Sequence, residues 1–218
     1  MRESDVRKFR SDLHAILFRL SEGADANSIL KLKELKRRLE KLYRKGLVKI
    51  NHSVMELVCS RYLVMKGYHI QLEYPLGQFL VCDVMASKGD GTMIVEIGTG
   101  YTSPEHALDP DTYNRARLVS KIARYSSYAN RFALATPPHN ILQIPHSLGK
   151  LPRDRMEDDI VSLKALCDRY YSRPPVSLEQ IRNAHVHAVY ILNVDRGTVL
   201  EMDPEAYQGF VERIPYLT

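Results

Sequence analysis

The sequence is poor in cysteine and has no long run of apolar residues. Its three cysteines, Cys59, Cys82 and Cys167, are odd in number and lie in apolar patterns, which is typical of buried free thiols. No Cys-x-x-Cys or Cys/His cluster has the spacing of zinc ligands. No segment resembles a signal peptide, and no apolar stretch approaches the length of a membrane span. We therefore expect a cytoplasmic protein that has no disulfide framework, no structural zinc site and no place in a membrane.

Acidic residues fail to balance basic ones only in the first fifty positions, where 14 Lys and Arg stand against 7 Asp and Glu, a net charge of +7. Residues 51–218 hold 17 against 19, a net charge of −2. A basic segment of this kind is typical of a surface that contacts a polyanion, although a solvated lysine-rich helix face has the same composition. We expect a nucleic acid as the partner, with Lys36 and Arg37 among its contacts.

Two apolar stripes with helical spacing organise residues 1–50. The first covers residues 4–21, and the second runs from Leu32 to Leu42. Ser28 is the predicted N-cap of the second helix, and Gly46 is its predicted C-terminal cap. The pattern predicts an antiparallel helical hairpin. Because its stripes are too short for a self-sufficient coiled coil, they must pack on the core or on a second subunit, and the latter would give a homodimer.

Helix and strand patterns alternate after residue 50. The predicted elements are a helix at about 53–66, strands at 68–74, 79–86 and 93–97, a helix at about 111–129 and a strand at 132–135. Residues 139–155 are predicted to be a mobile basic loop, and a helix and a β-hairpin follow it. The chain therefore divides into a basic helical hairpin, 1–50, and an α/β domain, 51–218. That domain has a motif-bearing core at 51–138 and a C-terminal extension at 139–218.

Three carboxylates stand in this core: Glu56 in its first helix, Asp83 in its second strand and Glu96 in its third strand. A carboxylate inside an apolar strand is costly to bury unless it is paired or holds a cation. We expect the carboxyl groups of Asp83 and Glu96 to lie within roughly 5 Å of each other and Glu56 to face the same cleft, an arrangement that suits Mg2+. The alternative is that each acid faces solvent at a strand edge.

This order of elements, with Glu56, Asp83 and Glu96 at those places, resembles the PD-(D/E)xK nuclease superfamily, above all its archaeal Holliday-junction resolvases and RecB-type nucleases. The resemblance covers about residues 51–138. It implies a restriction-endonuclease-like core, in which helices flank a mixed central sheet, with the N-terminal hairpin attached. It also implies that Asp83 and Glu96 bind Mg2+ or Mn2+ and that Glu56 completes the site through metal-bound water. The implied function is metal-dependent cleavage of DNA, structure-selective or non-specific, in DNA repair or recombination.

The chain departs from the family pattern at Gly98, where the family has a lysine that assists the attacking water. Related nucleases often carry Gln-x-x-x-Tyr on the following helix, and the matching segment here is Lys121-Ile-Ala-Arg-Tyr125. We therefore expect Lys121 to have taken the role of the missing lysine, with Tyr125 supporting it from one helical turn away. The alternative is a lysine whose stem packs while its amine reaches solvent. Lys88 is discounted because it lies near the far end of its hairpin.

Arg115, Arg117 and Arg124 are expected to give the same helix a basic face that contacts the DNA backbone. The rival interpretation is a catalytically inactive nuclease-fold protein that binds DNA or serves as a scaffold, and the missing lysine favours it. Retention of all three acids favours the enzyme, because an inactive site gains nothing from their desolvation. A third possibility is a regulator that binds another protein through the leucine stripes of the hairpin.

Overall fold

Helices and strands alternate along the chain to build one sheet with helices on both faces. The computed structural model describes residues 2–214. The helices are α1 (Glu3–Leu20), α2 (Ala26–Arg44), α3 (Ile50–Met65), α4 (Pro110–Tyr125), α5 (His146–Gly149), α6 (Glu157–Asp168), α7 (Leu178–Asn183) and α8 (Pro204–Val211). The strands are β1 (His69–Pro75), β2 (Val81–Lys88), β3 (Gly91–Ile97), β4 (Arg131–Thr136), β5 (Ala188–Asn193) and β6 (Thr198–Met202).

The six strands lie in the sheet in the order in which the chain forms them. The first three form an antiparallel meander, β3, β4 and β5 run parallel, and β6 returns antiparallel to β5. The expected α/β class with a mixed central sheet is confirmed. Among the residues that the structure describes, no helix combines the length and the apolar character needed to cross a membrane.

Each face of the sheet has its own hydrophobic cluster. On one face, α1, α2 and α3 pack together and onto the sheet, and their buried residues include Leu13, Leu39 and Leu57. On the other face, α4, α6 and α7 bury residues such as Ile122 and Leu163. The apolar stripes of the N-terminal hairpin therefore pack on the core, which was one of the two expected positions. The hairpin also covers α3, so that α3 lies between it and the sheet.

Two local predictions are wrong. The N-cap of α2 is Asp25, whose carboxylate accepts the N–H groups of Asn27 and Ser28, so the helix begins two residues before the predicted cap. The segment 139–155 is anchored, because Leu142 and Leu148 are buried in the second hydrophobic cluster. Proline and glycine in that segment interrupt its apolar positions, so no regular period marks them in the sequence.

Arg38 of α2 holds a strained residue of β1. Glu73 has a φ of 46°, a left-handed conformation that costs a non-glycine residue about 1–2 kcal/mol. The Arg38 Nε donates to the Leu72 carbonyl oxygen at 2.7 Å, and its Nη2 donates to the Glu73 carbonyl oxygen at 3.0 Å. Strain of this kind persists only where surrounding contacts fix it. The hairpin therefore helps to determine the backbone of β1.

We expect Arg38→Ala to lower the free energy of unfolding by about 2 kcal/mol, because it leaves two carbonyl oxygens without a charged donor. The neighbouring exposed Arg37 has no hydrogen bond or ion pair within residues 2–214, so Arg37→Ala is the matched control and should stay within about 0.5 kcal/mol of the wild type. Urea denaturation of both variants measures the difference. Equal losses in the two variants would show that the Arg38 contacts do not stabilise the strand.

Candidate active site

The antiparallel pair β2 and β3 opens at the two predicted acids. Regular pairing ends at Val84 and Val95. Beyond that point the Asp83 N–H donates to Glu96 Oε1 at 3.2 Å, and the Ile97 N–H donates to Asp83 Oδ2 at 2.6 Å. Each carboxylate thus accepts a backbone N–H of the opposite strand. The opening of the ladder brings the two acids together at one place.

Lys121 of α4 reaches both acids. Its Nζ lies 2.7 Å from Glu96 Oε2 and 3.7 Å from Asp83 Oδ2. Leu118 and Ile122 on the same helix are buried in the cluster below it, and this packing places Lys121 over the opened strands. The expectation that this amine reaches the two acids is confirmed, and the alternative of an amine in solvent is wrong. Its catalytic role stays a prediction.

The pKa values of Asp83, Glu96 and Lys121 are shifted in different directions. Burial, together with the charge of Asp83, raises the pKa of Glu96 to about 7, although Lys121 opposes this. Burial also acts on Asp83, but the Lys121 ammonium and a hydrogen bond with His52 outweigh it and lower the pKa of Asp83 to about 2. Burial alone would lower the pKa of Lys121, yet the two carboxylates raise it above its usual range. Asp83 is therefore an ionised carboxylate, and Glu96 is the acid that exchanges a proton near neutral pH.

Glu56 projects from α3 in the middle of the protein. Its side chain is fully buried, and neither carboxyl oxygen has a hydrogen-bond partner among residues 2–214. Burial raises the pKa of Glu56 well above its usual range, against the opposing charge of His52. A buried carboxyl group without a partner is costly. The group therefore carries a proton or takes up a cation.

Two further residues belong to the site, and sequence analysis missed both. His52 lies one turn before Glu56 on α3, with Nδ1 3.9 Å from Glu56 Oε2 and Nε2 3.4 Å from Asp83 Oδ2. Burial would lower the pKa of His52, but Asp83 raises it to about 9. Candidate ligand atoms of His52, Glu56 and Glu73 lie within 4.8 Å of one another. The i, i+4 spacing of His52 and Glu56 is visible in the sequence, whereas the place of Glu73 depends on its positive φ.

Tyr125 and Lys88 differ in their distance from the site. Burial and the charge of Glu96 raise the pKa of Tyr125 to about 12, but no hydrogen bond joins its hydroxyl to Lys121 in the described part of the chain. Its supporting role stays a prediction. Lys88 donates to the carbonyl oxygen of Lys66 at 2.8 Å, at the far end of β2, so it does not take part in the site.

The five predicted DNA contacts have different surroundings. Lys36 pairs with the glutamate one turn ahead at 2.5 Å. Arg117 and Arg124 each donate to a backbone carbonyl oxygen, of Tyr101 and Pro174 respectively. Arg115 and Arg37 are exposed and make no ion pair within residues 2–214. These last two are the ones free to reach a phosphate, and DNA binding stays a prediction for all five.

Gly98, at the place of the family's lysine, has little space beside it. A Cβ there would lie 3.2 Å from Leu142 Cδ2 and 3.8 Å from the Ala135 carbonyl oxygen. The Gly98 N–H donates to that same oxygen at 2.7 Å. A longer side chain would therefore require Leu142 to move inside a packed cluster. The amine at this site comes from α4 instead.

The donor set fits a hard divalent cation. Four carboxyl groups, from Glu56, Glu73, Asp83 and Glu96, surround the opening, and His52 and Lys121 form ion pairs with members of this group. Carboxylate oxygens suit Mg2+ and Mn2+. The carboxyl group of Glu56, which has no hydrogen-bond partner among residues 2–214 and only a 3.9 Å contact with His52, is the specific observation that favours a further positive charge here.

No protein-family model matches the chain, no curated protein matches it, and no solved structure matches it. The interpretation of the site therefore depends on its own geometry and chemistry.

We expect Glu56→Gln to be at least as stable as the wild type above pH 5 in EDTA. A carboxyl group whose pKa is raised on folding binds more protons in the native state, so its contribution to the free energy of unfolding falls as pH rises from its unfolded value of about 4.5. The neutral amide removes that loss, and its advantage should grow from pH 5 to pH 8. Glu34→Gln on the exposed face of α2 is the control. Urea denaturation at several pH values tests this, and a pH-independent difference would contradict it.

Proposed function

We propose that this protein is a metal-dependent DNA nuclease, structure-selective or non-specific, with a restriction-endonuclease-like core. The observation that carries the proposal is the meeting of Asp83, Glu96 and Lys121 where β2 and β3 open. Two carboxylates and an ammonium at the opening of two strands match the needs of phosphodiester hydrolysis, which requires a metal site and neutralisation of the charge that develops. The resemblance of residues 51–138 to the PD-(D/E)xK nucleases supports the same conclusion.

Each residue has a part in the proposed reaction. Asp83 and Glu96 would hold Mg2+ or Mn2+, which supplies an activated water and Lewis acidity when bound. Lys121 places its positive charge where the phosphate oxygens approach, and this charge favours the pentavalent transition state. Glu56 lies on α3, and His52 on the same helix contacts both Glu56 and Asp83. Because Glu96 and Glu56 retain protons to higher pH than an ordinary glutamate, metal binding should release protons and strengthen as pH rises.

A catalytically inactive DNA-binding or scaffolding protein is the second candidate. The ion pair of Lys121 with Glu96 favours it, because this contact already neutralises part of the acidic charge. The buried carboxyl group of Glu56, which has no hydrogen-bond partner in the described chain, favours the enzyme, since a site with no ligand gains nothing from its desolvation.

The setting that we propose is the cytoplasm, in DNA repair or recombination. The three cysteines are free and buried, which suits a reducing compartment.

Cleavage assays on branched, duplex and single-stranded DNA with Mn2+, with Mg2+ and with EDTA test the nuclease function. We expect cleavage of at least one substrate with Mn2+ and none with EDTA. Asp83→Asn should reduce the rate by at least about 100-fold, because it removes a charged ligand from the site. DNA binding without cleavage would identify the inactive binder, and absence of both would refute a nucleic-acid function.

Lys121→Ala should reduce cleavage by about 100-fold and leave DNA affinity within about threefold of the wild type, because its charge matters most in the transition state. Lys88→Ala is the matched control: it removes a lysine that bonds to a backbone carbonyl outside the site, and it should cleave at the wild-type rate. Single-turnover rates and separate binding measurements distinguish the two effects. Wild-type cleavage by Lys121→Ala would remove this lysine from the mechanism.

A further inference from the structure

A cavity of about 260 Å3 opens directly beside the carboxylates. Ile97 and Lys121 line the cavity and also contact the carboxylates. The Ile97 N–H donates to Asp83, and the Lys121 amine pairs with Glu96. The remaining wall comes from the loop at 98–101, the outer side of α4 and the segment 140–143. A molecule in this cavity would therefore lie next to the reacting phosphate.

The wall of the cavity includes nonpolar, amide and charged side chains, and its charged members are the acid Asp111 and the bases Arg115, Arg117 and Lys121. Leu118 and Leu142 are buried aliphatic residues that form a nonpolar surface. Asn114 and Asn140 contribute amide groups, and the guanidinium group of exposed Arg115 stands at the rim. Nonpolar walls suit the faces of a planar ring, amides suit the donors and acceptors on its edge, and a guanidinium suits a phosphate.

We propose that this cavity binds one unpaired nucleotide of the DNA substrate, immediately beside the phosphate that is cleaved. This inference depends on the proposed nuclease function and adds the class of substrate to it. The volume is close to the lower end for ligand pockets, about 300 Å3, and it suits a single nucleotide and not a base pair. A continuous duplex would have to extrude a nucleotide to fill it, at a cost in unstacking and unpairing that a single strand does not bear. Single strands, flaps and frayed ends are therefore the preferred substrates.

Binding of two labelled DNA molecules tests the cavity without cleavage. The probes are a single-stranded oligonucleotide and a blunt hairpin duplex of the same length, and fluorescence anisotropy in EDTA gives their affinities. We expect the wild type to prefer the single strand by roughly tenfold, since unstacking and unpairing oppose entry of the duplex. Ile141→Trp, which fills the cavity from its wall, and Arg115→Ala should each reduce that preference to about twofold or less.

Arg7→Ala is the matched control for Arg115→Ala. Arg7 is an exposed arginine on α1, across the sheet from the cavity, and makes no ion pair within residues 2–214. Its removal should change both affinities by the same factor, because Arg7 lies outside the cavity, whereas Arg115 meets a phosphate there only when an unpaired nucleotide fills the cavity. Urea denaturation shows whether Ile141→Trp is folded. If it is not, Arg115→Ala tests the cavity instead, because Arg115 is exposed.

The outcomes separate this inference from the nuclease proposal. A single-strand preference that both cavity variants reduce supports the cavity even if no cleavage occurs, and the protein is then a binder of unpaired DNA. Cleavage together with an unchanged preference in both variants overturns the cavity alone. Equal affinity of the wild type for both probes also overturns it.

Discussion

The crowding of four carboxyl groups at the opening of β2 and β3, with Glu56 and Glu96 buried and Asp83 and Glu73 partly buried, is the constraint on which the rest of the site depends. Like charges this close cannot all ionise in a poorly hydrated place, so some must keep a proton or meet a cation. Asp83 ionises because Lys121, His52 and a backbone N–H all favour its charged form. The charged forms of Glu96 and Glu56 are stabilised less, so these two groups stay protonated to higher pH. The site therefore favours additional positive charge.

The fold supplies this site from both faces of the sheet. On one face α3 contributes Glu56 and His52, and on the other α4 contributes Lys121, while the opened strands lie between them. The hairpin takes part through Arg38, which fixes the backbone of Glu73. Residues 1–50 therefore influence the acidic cluster by packing and hydrogen bonding, in addition to any role of their charge on the surface.

The order of the elements and part of the site can be predicted from the sequence. Asp83 and Glu96 were found because two acids interrupt apolar strand patterns, and Lys121 because the segment from Lys121 to Tyr125 resembles the Gln-x-x-x-Tyr of related nucleases. Apolar periodicity identifies residues that are buried at regular intervals along one helix or strand. It does not identify the left-handed backbone of Glu73, which is held by a residue thirty-five positions earlier, or the burial of aliphatic residues in a segment interrupted by proline and glycine.

Leu142 limits the substitutions that position 98 can accept during evolution. Because it closes the space beside Gly98, the effect of a substitution at either position depends on the other. If a lysine at position 98 displaced Leu142 and reached the carboxylates that hold Lys121, the two ammonium groups would repel each other. Under the proposed function, the strand and the helix would therefore be alternative sources of a single amine. A lineage that moves the amine from one to the other passes through an intermediate with two ammonium groups or with none.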